Sequence, residues 1–159
     1  MSDIALALAE AKIEHVGKEY RLTPPDYNTH RDYVKYLEGE AIRAVVRNRD
    51  AYGKEFDGQM LRMGRDVGMG TYQLGGAAWK QSLDDPVNSQ QLCFMVFKQD
   101  NPLSFQEFRV IWNADAKFVN REGKDIEGCK GDEIADKVGG FLERPNALRP
   151  DLAMGPVAS

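Results

Sequence analysis

Residues 100–119 carry more local instruction than any other part of the chain, and they specify a helix. Pro102 disfavours helical geometry in the residue before it, so a preceding element ends there. Ser104 is placed to cap a new helix, and Glu107, three residues on, is placed to reach back to the Ser104 amide. Phe105, Phe108, Trp112 and Val119 then recur at helical spacing and make one large aromatic face. No comparable stretch gathers acids, histidines or thiols, so the strongest pattern concerns packing or partner contact.

Other segments follow the same logic. Residues 2–12 read as a short Ala-rich helix capped by Ser2 or Asp3. Residues 13–22 alternate Ile13, His15, Tyr20 and Leu22 with polar residues around Gly17, the pattern of a small β-hairpin. Thr23-Pro24-Pro25 is a stiff break. A long helix is expected from about Thr29 to Ala51, capped by Asn28 or Thr29. Tyr33, Leu37, Ala41, Ala44 and Val45 form its stripe, Arg43, Arg47 and Arg49 its basic end, and Gly53 its stop. Phe56, Met60, Met63 and Val67 predict a second helix over 54–67. The glycines between 68 and 76 predict a loop, followed by one helical turn that plants Trp79. Asp85-Pro86 opens the next helix. Residues 92–97 are apolar on every side and fit a buried helix or a buried strand; the flanking Asp-Pro and Asn-Pro favour a helix. Residues 120–130 read as a loop. Asp132 is expected to cap a last helix with Ile134, Val138, Phe141 and Leu142 on one face.

A chain of 159 residues fits one domain with a real core. The expected architecture is mainly α: a single helical domain over 1–143 with a small N-terminal hairpin (13–22), and a flexible tail over 144–159 containing Pro145, Pro150 and Pro156. The net charge of -4 argues against nonspecific nucleic-acid binding, which draws on surplus positive charge. No stretch has the length or apolarity of a membrane span. The N-terminus has no basic segment before a long apolar run, so it does not read as a signal peptide. The two cysteines, Cys93 in an apolar run and Cys129 in a polar, Gly-flanked one, imply no disulfide framework and suit a reducing cytoplasm.

Reactive constellations are scarce. The glycines of 68–76 lack the Gly-Lys-Ser/Thr ending of a phosphate loop and follow no clear parallel strand. His15 and His30 stand apart, and the cysteines have no metal-ligand spacing. No catalytic, metal or cofactor residue is expected. Arg43, Arg47, Arg49, Arg62 and Arg65 read either as a basic patch or as helix-end complements with surface ion pairs. The aromatic face of Phe105, Phe108 and Trp112 reads either as core or as a partner surface. Those three, with Tyr33 and Leu37 as a second group, are the candidate contact residues.

Four features together resemble the tail assembly chaperones of long-tailed bacteriophages. They are Gly-Lys-Glu-Tyr-Arg-Leu at 17–22, the amphipathic helix after it, the apolar segment at 92–97, and Asn101-Pro102-Leu103-Ser104 leading into a helix with Glu107. The resemblance spans roughly residues 13–119. It implies a protein of the host cytoplasm that coats the long, apolar tape-measure protein and hands it to the polymerising tail-tube protein, is prone to oligomerise, and needs no cofactor. Covering exposed apolar stripes raises the soluble concentration of such a partner. A structural virion component, such as a head–tail connector or minor tail protein, is the alternative, and a small enzyme the third.

Overall fold

The computed structural model describes residues 10–120 and 122–143. In chain order its elements are β1 (Ala11–His15), β2 (Lys18–Leu22), α1 (Tyr27–Arg47), α2 (Arg49–Tyr52), a 3-10 turn (Gly53–Glu55), α3 (Phe56–Gly68), α4 (Ala77–Ser82), α5 (Pro86–Lys98), α6 (Phe105–Trp112), β3 (Asp115–Val119), β4 (Asp125–Cys129) and α7 (Lys130–Glu143). The chain is mainly α, with the expected N-terminal hairpin and a second hairpin near the end. It divides into two compact units: Tyr27–Gln91, inserted, and a discontinuous one built from the described residues up to Asp26 and from Leu92 onward. Of the helix expected over 2–12, Ala11 and Lys12 belong instead to β1; residues 2–9 and the tail 144–159 lie outside the described residues.

In the discontinuous unit, β1 and β2 pair antiparallel with Ile13 opposite Tyr20 and His15 opposite Lys18. The alternation puts Ile13 and Leu22 fully inside. The two-residue turn, Val16 and Gly17, has φ of 49° and 72°, the sign that a tight hairpin turn needs at both positions. Glycine takes it freely, whereas a β-branched valine is strained there. The Thr23-Pro24-Pro25 break is held from outside because prolines have no N–H to give a ladder. The Gln99 amide donates to the Thr23 and Pro24 carbonyls (3.4 and 3.3 Å) and its oxygen accepts from the Asp26 N–H (2.8 Å). Asn101 donates to the Arg21 and Phe97 carbonyls (2.7 and 2.8 Å), tying β2 to the end of α5.

The apolar run at 92–97 is helical, and Leu92, Cys93, Val96 and Phe97 are buried. α6 starts as its sequence instructs: the Glu107 N–H donates to Ser104 Oγ (3.2 Å) and the Ser104 N–H to Glu107 Oε2 (2.8 Å), both halves of a capping box. It ends sooner than expected. Asn113 closes it after eight residues, and Val119, read as part of its aromatic face, lies in β3. The supposed loop over 120–130 contains β4, which pairs with β3 so that Phe118 faces Ile126. α7 buries Ile134, Val138 and Phe141. Asp132 is not the residue before it but sits in its first turn, where Oδ2 accepts from the Cys129 N–H at 3.0 Å. That first turn comes close to α6: a Cβ on Gly131 would stand 2.5 Å from the Trp112 indole, so only glycine fits.

In the inserted unit, α1 buries Thr29, Tyr33, Val34 and Leu37, all in its first half. It starts two residues earlier than expected and ends at Arg47. Asn48 interrupts it, its side chain donating to the Ala44 carbonyl (2.8 Å), and α2 follows as a separate turn. α3 buries Met63, and α4 buries Trp79 and Ser82. The Ser82 hydroxyl donates to the Trp79 carbonyl (2.6 Å) and lies 2.8 Å from the Tyr33 hydroxyl.

Candidate protein-binding surfaces

The structure divides the aromatic face of α6. Phe108 is fully enclosed, with its ring centroid 5.4, 5.3 and 5.5 Å from those of Phe94, Phe97 and Trp112. Phe105 and Trp112, on its flanks, are half-buried. Tyr33 and Leu37 belong to the core of the inserted unit. Other apolar side chains are left open. Val110 on α6, Val119 on β3, and Ile42, Val46, Leu61 and Met69 in the inserted unit are all exposed. Periodicity marked apolar stripes but not where a neighbouring element would run out, which is what leaves these residues uncovered.

Among the described residues, a groove lies in each unit. In the discontinuous unit a groove of about 590 Å³ lies beside the first hairpin, walled by Tyr20, Leu103, Val110 and Ile111 and edged by His15, Lys18, Asp100 and Glu107. Its carboxylates already serve the fold: Asp100 accepts from the Thr23 hydroxyl (2.6 Å) and Glu107 completes the capping box. The Lys18 ammonium stands 5.0 Å from the Tyr20 ring centroid, a cation–π distance.

In the inserted unit a groove of about 710 Å³ has an apolar floor of Leu37, Ala41, Tyr72 and Pro86 and an acidic rim of Glu40, Asp84 and Asp85. Asp85 caps α5, accepting from the Val87 and Asn88 N–H groups (2.8 and 3.3 Å). The Tyr36 hydroxyl donates to Asn88 (3.1 Å), and burial, then Glu40 and Asp85, pushes its pKa up. Burial, then Asp66 and Glu38, does the same to Tyr72, whose hydroxyl donates to the Met63 sulfur (3.6 Å).

Three of the five arginines make local surface contacts. Arg43 and Arg47 approach Glu40 at 2.6 and 3.9 Å, and Arg49 lies over the Phe56 ring at 4.9 Å. The glycine-rich loop serves close packing. The Thr71 carbonyl accepts from the Ala78 and Trp79 N–H groups (3.1 and 3.3 Å), and a Cβ on Gly76 would stand 2.3 Å from that oxygen. Among the described residues, no group of three His, Cys, Asp or Glu side chains could hold a metal ion, and no helix is long and apolar enough to cross a membrane. Cys93 is buried, and half-buried Cys129 donates its thiol to Asp132 at 3.4 Å. No protein-family model, no curated protein and no solved structure matches this chain.

Proposed function

We propose that the chain is an assembly factor that covers apolar helical surface on another protein: a bacteriophage tail assembly chaperone that binds the tape-measure protein and assists tail-tube polymerisation. One observation carries this reading. No residue from 38 to 62 is buried, although this run of helices and turns includes Ala41, Ile42, Ala44, Val45, Val46, Tyr52, Phe56 and Leu61. Five of the seven residues over 41–47 are apolar and share one broad side of α1, with Arg43 and Arg47 on the other. An amphipathic helix packs its apolar side against another element, and none of 38–62 is buried within this chain, which supports a partner as the cover. Ile42 and Val46, one turn apart, are 40% and 49% exposed. Covering each would contribute about 1 kcal/mol, since full burial of such a side chain is worth roughly 1.5–3 kcal/mol.

Co-expression with a tape-measure fragment tests the reading. The chain should keep the fragment in solution and co-purify with it. Ile42→Glu with Val46→Glu should abolish co-purification while leaving the circular dichroism spectrum of the free chain unchanged. A fragment that stays insoluble beside the wild-type chain overturns the proposal. Ring-like copy numbers of the chain in purified particles would make it a structural virion component instead.

A further inference from the structure

The outer face of α3 reads alike in both directions. With Leu61 at the centre, Gly58 and Gly64 lie three residues to either side, and Asp57 and Arg65 four. Spacings of three and four place all five residues on one side of a helix. All five are exposed, Leu61 at 73%, while Met63 on the opposite side is buried. A Cβ added at Gly58 or Gly64 would meet nothing within 4 Å. Among the described residues, neither the Asp57 nor the Arg65 side chain has a hydrogen-bond or ion-pair partner.

We propose that this face is a two-fold interface, on which α3 packs antiparallel against α3 of a second copy about Leu61. In that register Asp57 faces the partner's Arg65, Gly58 faces the partner's Gly64, and Leu61 faces the partner's Leu61. A two-fold contact requires a patch that complements itself, and opposite charges at symmetric positions provide it. A parallel pairing would set aspartate on aspartate and arginine on arginine. The glycines allow the helices to approach at the near end of the usual 8–10 Å separation, so that the two leucines fill the centre. The face has no net charge, so it offers no surplus attraction for a phosphate backbone and no preference for a partner of one sign. The interface is small, and its dimer is correspondingly weak.

Sedimentation equilibrium of the full chain, from micromolar to millimolar concentration, tests this. The wild-type chain should dimerise. Asp57→Arg or Arg65→Asp alone puts like charges together at both ends and should weaken the dimer roughly tenfold. The double variant Asp57→Arg/Arg65→Asp restores opposite charges in the antiparallel register only, and should recover the wild-type constant. Leu61→Glu should leave monomer. All these positions are exposed, so circular dichroism should show an unchanged fold. A wild-type chain that stays monomeric, a dimer indifferent to the single swaps, or a double variant weaker than either single would each overturn the proposal.

Discussion

Phe108 is the most informative single position for testing how the discontinuous unit is held together. Its ring is fully enclosed and has aromatic neighbours on every flank: Phe94, Phe97, Phe105 and Trp112, at centroid distances from 5.3 to 6.4 Å. Truncating a buried phenylalanine to alanine costs about 3–5 kcal/mol, from lost transfer energy and from the cavity left behind. Four stiff rings cannot collapse into that space, so Phe108→Ala belongs near 4 kcal/mol on this scale. Phe105→Ala, half-buried and at the edge of the cluster, should cost about half as much. The chain supplies its own reporters, because its two tryptophans divide between the units: Trp112 in the discontinuous one, Trp79 in the inserted one. Trp79→Phe isolates the Trp112 signal. It also removes a buried indole N–H that has no hydrogen-bond partner among the described residues, so no acceptor is left stranded. With a urea slope of about 1–3 kcal/mol per molar, Phe108→Ala should lower the Trp112 midpoint by about 2 M. If Phe108→Ala shifts that midpoint no further than Phe105→Ala, the ring is not the hub of this core and the reasoning fails.

Two further outcomes follow from local chemistry. Val16 carries a left-handed φ at an exposed hairpin tip, so Val16→Asn should raise stability by about 1 kcal/mol, read as a higher unfolding temperature; a loss would show that the valine is held by contacts rather than merely tolerated. Tyr36 and Tyr72 have pKa values raised above the ordinary 10.0 by burial and then by nearby carboxylates, so the folded chain holds their protons more tightly than the unfolded chain. Their contribution is fully present below pH 10 and is lost as pH rises through the folded values, so stability should fall with pH on the alkaline side. Denaturant titrations across that range check the sign, and Tyr36→Phe with Tyr72→Phe should remove the latest part of the tyrosinate absorbance rise.

Where the chain states its structure locally, the sequence could be read directly. Ser104 and Glu107 close a hydrogen-bonded box within four residues, and Asp85-Pro86 starts a helix with one side chain, so both starts were legible. The first hairpin was legible because Ile13 and His15 on one strand, and Tyr20 and Leu22 on the other, alternate with polar residues around Gly17. The second was masked by coincidence. Val119 falls in phase with Phe105, Phe108 and Trp112 and extends the helical stripe on a wheel, while the alternation of Ala116 and Phe118 with Asp115, Lys117 and Val119 carries the true period. No glycine or proline marks the stop at Asn113. The candidate site was less legible for a different reason. Whether Phe108 is core or surface depends on Phe94 and Phe97 arriving from α5. Whether Ile42 is covered depends on how far neighbouring helices extend. Neither fact is written near the residue concerned.

The insertion of one unit within the other sets an order of events during synthesis. A ribosome delivers the whole of Tyr27–Gln91 before it has made any later residue of the surrounding unit. The inserted helices can therefore settle while β1 and β2 are still waiting for Phe97, which packs on Tyr20, and for α7. Until then Ile13 and Leu22, sealed in the finished molecule, have no core to enter, and the nascent chain must carry two uncovered aliphatic side chains through roughly its next hundred residues of elongation.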